Sequence, residues 1–411
     1  MNGLPRKMKT RIFLFSLFLM RGAFSLVMAE IAIDANYAGG NARILTREAS
    51  TFTVAPDLRD TEGWWFYFNF RLRGQTEQPV SVSFAERNPI GVRGPAMSLD
   101  GGRTWTWLGK QVVTKTVAED RTSWSFPTSL PRGVFEARFA FAPTYLESHL
   151  HEWLTAHQTN LALQVAELCF IRQGRGVELL RAGCLDLEKA RGVVLLTSRH
   201  HACESVATYA LEGLISAAVA DDAIGRRWRS HWLIIAVPFM DKDGVEAGDQ
   251  GKNRAPHDHN RDYSDTPLYP EVAAWMRLGE SVRDRVVFSL DLHCPYISGQ
   301  WNDRVYFVGG SDPSAAVKER AFARVLEHVV RGPLPFRAEN GYLPWGSAWN
   351  TGSNNSAGRS NGTWARATFP KARFAGSIEI PYADVLGVEV NADSARALGR
   401  DLAEAILEHL E

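Results

Sequence analysis

Cysteine is scarce: there are four in 411 residues, Cys169, Cys184, Cys203 and Cys294. So few thiols exclude a disulfide framework standing in for a hydrophobic core. Charge of one sign is absent too. Lys and Arg together number 46, as do Asp and Glu, so the formal net charge is zero. A protein that binds nucleic acid or anionic lipid over a broad face carries a basic excess, so neither partner is expected. Beyond residue 29 no apolar run is long enough to span a bilayer, and no stable membrane span is expected in the processed chain. What is present is ordinary for a globular protein, 45% hydrophobic and 22% charged. The length points to two domains.

The first 29 residues are different. Arg6, Lys7, Lys9 and Arg11 precede an apolar run from Ile12 to Met20, and a second apolar stretch ends in Val27-Met28-Ala29. This order of basic, apolar and small residues is that of a secretory signal, although Arg21 interrupts it. The expectation is cleavage after Ala29 and a periplasmic or secreted protein. The alternative is a leader that is not a signal and a cytoplasmic chain.

Two halves follow. Residues 30–143 carry alternating or aromatic-rich segments, WWFYFNFRLRG (64–74), VSVSFAE (80–86) and VFEARFAFAP (134–143), separated by turn signals such as DGGRTW. This pattern predicts an antiparallel β-sandwich. Residues 144–411 alternate strands with helices. Strands are predicted at 192–198, 232–239, 285–293, 304–310 and 374–382, and helices at 204–220, 269–281, 314–330 and 392–411. Such alternation predicts an α/β sheet covered on both faces, with function at the carboxyl ends of its strands. The Gly-, Asn- and Ser-rich stretch 332–366 reads as a long functional loop.

Chemistry-bearing residues fall at those strand ends. The stretch Ser198–Ser205, SRHHACES, holds two adjacent histidines and a glutamate. Alone, H-x-x-E is a weak signal. A hydrolytic zinc site, however, needs three nitrogen or oxygen ligands and one open position. His293, which closes the strand SLDLH, offers the third, with Asp291 on the same strand face. GKNRAPHDHNRDY (251–263) carries Arg254, Asn260 and Arg261. Planar guanidinium forks of this kind grip a carboxylate at two points. Glu379 sits in an apolar strand, where a carboxylate needs a partner or a role.

Taken in order, these pieces resemble the M14 family of zinc carboxypeptidases. The pieces are His201-Ala202-Cys203-Glu204, Arg254, Asp258-His259-Asn260-Arg261, His293 and Glu379. Within that family the chain is most similar to the cytosolic carboxypeptidase, deglutamylase-like branch. SLDGGRTWTWLG resembles that branch's N-terminal sandwich, and GTWAR (362–366) resembles its G-T-x-R, with one extra residue. The resemblance implies residues 144–411 as a mixed-sheet α/β/α catalytic domain behind the 30–143 sandwich. It also implies one Zn2+ held by His201, Glu204 and His293, with His200 in a variable position. Glu379 would be the general acid–base and Arg254 the oxyanion cation. Asn260 and Arg261, aided by Arg254, would hold the substrate's C-terminal carboxylate, and Asp258 would orient His201. The substrate would be a peptide or protein C-terminus, and the branch implies release of acidic residues.

Cys203 and Cys294 flank two of the ligands, and a disulfide between them is expected, against a chance pair of buried thiols. Tyr342 and Trp364 are candidates for the aromatic residue that closes over substrate. Two other functions use the same residues. One is a zinc N-deacylase of the aspartoacylase type, disfavoured by the long β-half. The other is a non-catalytic binding protein on this scaffold, disfavoured because every chemical position is filled.

Overall fold

The computed structural model describes residues 31–48, 50–74, 78–118 and 121–411, with Met1 and Gly3. The expected signal lies outside the described residues. Among the described residues no helix is long and apolar enough to cross a membrane.

The first half forms two five-stranded sheets. One orders its strands Ala32–Asp34, Asn69–Arg73, Glu136–Ala140, Ala96–Ser98 and Thr106–Trp107, all antiparallel. The other runs Arg43–Glu48, Thr51–Ala55, Val80–Ala85, Arg121–Thr128, Thr114–Ala118. Its Thr51–Ala55 and Val80–Ala85 strands pair in parallel, the one exception to the antiparallel pattern of the described sandwich. Alternating burial along Val80–Ala85 turns Val82 and Phe84 inward. There Phe84 meets Phe68, and Phe126 meets Phe139. The aromatic run 64–74 is strand only over Asn69–Arg73. Its earlier residues, Trp65 and Phe66, pack against Tyr296 of the second half.

The second half is built on an eight-stranded mixed sheet. Its order is Leu163–Phe170, Gly176–Gly183, Trp232–Val237, Gly192–Ser198, Val286–His293, Phe374–Glu379, Tyr306–Val308 and Tyr342–Leu343. The three central neighbours Gly192–Ser198, Val286–His293 and Phe374–Glu379 are parallel, and the first two are buried on both faces. That double burial explains their continuous apolar sequences. Period-two alternation sorts their side chains. Val194 and Leu196 join the core under helices Ser205–Val219, Pro313–Val329 and Ala392–Leu410. Val193 and Leu195 join the opposite core, with Val272 and Trp275 of helix Pro270–Ser281 and Trp364 of helix Asn361–Thr368. The first of these cores continues into the sandwich through Phe66, Phe141 and Tyr382.

Helices Glu147–Ala156, Ala223–His231 and Asn361–Thr368 and the edge hairpin Leu163–Phe170/Gly176–Gly183 were not expected from sequence. The hairpin's outer strand is mostly exposed and polar-spaced, so its apolar pattern is weak. The helix Asn361–Thr368 begins inside the stretch read as a loop and runs two residues past it. Its Ser360 cap accepts from the Thr363 backbone N–H, an N-terminus signal hidden by the surrounding Gly and Asn.

Candidate metal centre and active site

The strand Gly192–Ser198 ends at Arg199, a non-glycine residue at φ 61°. A left-handed turn is costly there. The buried Arg199 side chain holds it, with Nε donating to Ala202 O at 3.0 Å and Nη1 to Tyr145 O at 2.9 Å. The reversal throws His200 and His201 over the sheet edge. Glu204 then stands at the N-cap of helix Ser205–Val219. On the next two strands, His293 and Glu379 are direct partners in the parallel ladder. The site is therefore assembled from three adjacent strand ends.

Donor atoms converge. Glu204 Oε1 lies 2.8 Å from His201 Nδ1, and Glu204 Oε2 lies 2.8 Å from His293 Nδ1. The three groups offer ligand atoms within 4.8 Å of one another. Each histidine's other nitrogen faces a carboxylate: Asp258 Oδ1 is 3.3 Å from His201 Nε2, and Asp291 Oδ2 is 2.6 Å from His293 Nε2. Such outer carboxylates fix the ring and leave Nδ1 directed inward. Two imidazoles and a carboxylate are the donor set that zinc takes in hydrolases, so the residues fit the ion. Burial works against ionised Glu204, but His201, His293 and Lys252 outweigh it and hold the carboxyl well below its usual range.

A second group, His200 with Asp291 and His293, is equally compact. His200 is fully buried, however. Its Nδ1 lies 2.9 Å from Asp291 and its Nε2 2.6 Å from the Tyr263 hydroxyl, which also accepts from Asn361 Nδ2 at 2.7 Å. Burial lowers its pKa and keeps it neutral. His201 and His293, but not His200, line the cavity of about 790 Å³ that opens over the site.

Glu379, Asn260, Arg261 and Lys252 line the same cavity. Glu379 Oε2 is buried without a hydrogen-bond partner among the described residues. Burial pushes this carboxyl up to about 7, with His293 pulling against it. Asp258 accepts from the Asn260 backbone N–H at 2.7 Å, and Asn260 Oδ1 accepts from the Asn361 backbone N–H at 2.9 Å. Among the described residues Arg261 donates only to carbonyls, Asn260 O at 2.7 Å and Asn354 O at 3.1 Å. Its charge is thus available to a carboxylate in the cavity.

Arg254 departs from its expected place. Its Nε, Nη1 and Nη2 bind Asp60, Asp241 and Asp249 at 2.9, 2.5 and 2.7 Å. It does not line the cavity. Against burial, three carboxylates raise its pKa, and each of its three guanidinium nitrogens is engaged by one of them. The isolated bridge Thr61–Arg254 shows why: the arginine ties the sandwich to this loop. The expected disulfide is also absent, since Cys203 and Cys294 are both free and buried. Burial pushes Cys203 up to about 12, as expected of an inert thiol. Neither candidate closing aromatic faces the cavity. Tyr342 donates to Glu319 at 3.0 Å in the interior, and Trp364 packs in the core. Trp345, Trp349, Tyr296 and the sandwich's Trp65 form the aromatic walls instead. Lys252 is not singled out by the sequence, where its one signal is its place beside Gly251; Trp65 reads there as packing, like Trp64, Trp105 and Trp107, whereas the structure puts it on the cavity wall.

No family model matches the chain. Cytosolic carboxypeptidase 6 of Caenorhabditis elegans is 18% identical over 332 residues, covering 73% of this chain and 70% of that protein. Cytosolic carboxypeptidase 3 of Mus musculus is 22% identical over 325 residues, covering 71% of this chain but 31% of that longer protein. A solved metallo-carboxypeptidase from Burkholderia cenocepacia superposes with a TM-score of 0.75 at 19% identity, over 92% of this chain and 99% of that one. The Pseudomonas aeruginosa metallo-carboxypeptidase bound to (2-guanidinoethylmercapto)succinic acid gives 0.71 at 21%, over 92% and 100%. Both alignments cover nearly the whole described chain, sandwich included. The fold is that of the metallo-carboxypeptidases. Within that class the chain is M14-like, close to the cytosolic carboxypeptidase branch.

Proposed function

We infer that this chain is a zinc-dependent metallocarboxypeptidase that removes the C-terminal residue of a peptide or protein. The observation that carries this reading is the cavity over three strand ends. It brings an unpartnered buried glutamate, two imidazoles beside a shared carboxylate, and an arginine with uncommitted charge into one space.

His201, Glu204 and His293 would hold one zinc ion, which when bound acidifies the attacking water. Glu379 takes the proton from that water as its oxygen adds to the scissile carbonyl. The same carboxyl then gives the proton to the leaving amine as the C–N bond breaks. Arg261 and Asn260 hold the terminal carboxylate of the substrate, which restricts cleavage to the last bond. Asp258 and Asp291 keep the two imidazoles in the tautomer that directs Nδ1 inward. An acidic leaving residue, as the branch resemblance implies, is the finer proposal.

The test is the full chain loaded with zinc and offered a peptide library differing only in the last residue. Mass spectrometry should show single-residue trimming that C-terminal amidation blocks. Hydrolysis of acyl amino acids without peptide trimming would instead identify a deacylase.

A further inference from the structure

We propose that Lys252, and not Arg254, supplies the cation for the oxyanion that forms at the scissile carbonyl. The inference rests on the carboxypeptidase reading. When water adds to that carbonyl, a C–O bond forms and the π pair moves onto the carbonyl oxygen. Collapse restores the C=O bond and breaks the C–N bond, the amine leaving with the proton carried by Glu379. The negative oxygen between these steps needs a fixed positive partner inside the cavity. Arg254, the residue expected there, is committed to Asp60, Asp241 and Asp249 and lies outside the cavity wall.

Lys252 meets the requirement. It lines the cavity, with a side chain 24% exposed. Among the described residues its Nζ has one carboxylate within 4.0 Å, Glu204 Oε1 at 3.7 Å, and its charge also reaches Asp258 and Glu379. That is beyond hydrogen-bond reach, and the charge of Glu204 would be shared with the metal it binds. The ammonium also faces the Trp65 ring, 5.8 Å from its centroid, a distance that permits a cation–π contact. Its three N–H groups are therefore uncommitted beside the ligand cluster. The other cavity cations are placed differently. Arg366 pairs with Glu319 at 2.7 Å, Arg359 approaches Asp265 at 3.3 Å, and Arg261 is assigned to the substrate carboxylate.

The backbone explains the placement. Gly251 has φ +75° and packs directly on the ligand loop, where an added Cβ would lie 2.2 Å from Ala202 N. Just before it, Gln250 O accepts from the Cys203 backbone N–H at 3.2 Å. The Gln250 side chain is clamped by Tyr67 of the sandwich, accepting from its N–H at 2.7 Å and donating to its carbonyl at 2.9 Å. Both halves of the chain thus press this loop onto the H-x-x-E turn and aim Lys252 at it.

The test compares the zinc-loaded full chain with K252Q and K252R. Zinc per chain, kcat and KM are measured on a peptide that the parent trims. So is affinity for a phosphinic peptide, whose tetrahedral phosphinate imitates the intermediate. K252Q should keep its zinc, lose about 100-fold or more in kcat with KM within about threefold, and lose phosphinate affinity in proportion. K252R should recover part of both. A K252Q enzyme within threefold of the parent overturns the inference. So does a kcat loss without a loss of phosphinate affinity, or a loss of zinc, since each assigns Lys252 a structural role. A parent that binds zinc yet trims no peptide overturns the carboxypeptidase reading and this inference with it, and so is distinct from failure of the inference alone.

Discussion

Arg254 offers a clean separation of a structural from a chemical role. Its pair with Asp241 is buried on both sides, the side chains 7% and 2% exposed. Removing one partner of a buried pair costs about 3–5 kcal/mol. Asp249 keeps its pair with Arg59 at 2.5 Å when Arg254 is removed, and Asp60 is 39% exposed, so each of these two pairs adds no more than about 1 kcal/mol. In R254Q the amide keeps one neutral hydrogen bond, which returns about 1 kcal/mol. The net expectation is a loss of about 4 kcal/mol, most of it from leaving Asp241 buried without its counter-charge. The assay is urea unfolding at fixed zinc, read by intrinsic tryptophan fluorescence, with kcat measured on the folded variant at 25 °C. The midpoint should fall at unchanged slope, and kcat should stay within about threefold of the parent. Stability within about 1 kcal/mol of the parent together with a kcat loss of 100-fold would refute the reasoning and return Arg254 to the chemistry.

Further expectations follow from the same geometry. E379Q should retain one zinc per chain by atomic absorption and lose about 10²–10⁴ in kcat, because the proton carrier is gone. It also has a pH signature in the zinc-free protein. Burial raises the folded-state pKa of Glu379 from about 4.5 to about 7, so the folded chain binds more protons than the unfolded one across that window. The parent should therefore lose stability relative to E379Q as pH rises from about 4.5 through 7, and a flat difference in urea midpoints would contradict the burial argument. H201A should lose zinc and H200A should keep it, since His200 is enclosed by Asp291 and Tyr263 and does not reach the cavity; the reverse pattern in metal analysis would assign the ion to the other histidine. G251A should lower zinc affinity by tenfold or more in a competitive chelator titration, because its Cβ would collide with Ala202 N beside His201 and its positive φ disfavours any side chain.

The sequence by itself determined the parts that depend on local pattern. Near-continuous apolar runs marked the strands Gly192–Ser198 and Val286–His293 to within a residue, because a strand covered on both faces is apolar along most of its length. The order of His201, Glu204, His293 and Glu379 on strand ends was legible because a parallel sheet brings consecutive carboxyl ends together. The choice of His201 over His200 as the expected ligand came from the family resemblance rather than from spacing alone. Only the tertiary structure decided what depends on partners far along the chain. Arg254 reads as a free cation until Asp60, from the sandwich, and Asp241 and Asp249 are folded around it. Lys252 and Trp65 come to the cavity from opposite halves of the molecule, and Cys203 and Cys294 stay reduced beside the ligands they flank. Charge acts through space, so a side chain's job is set by which opposite charges reach it first, and nothing in a linear pattern records that distance.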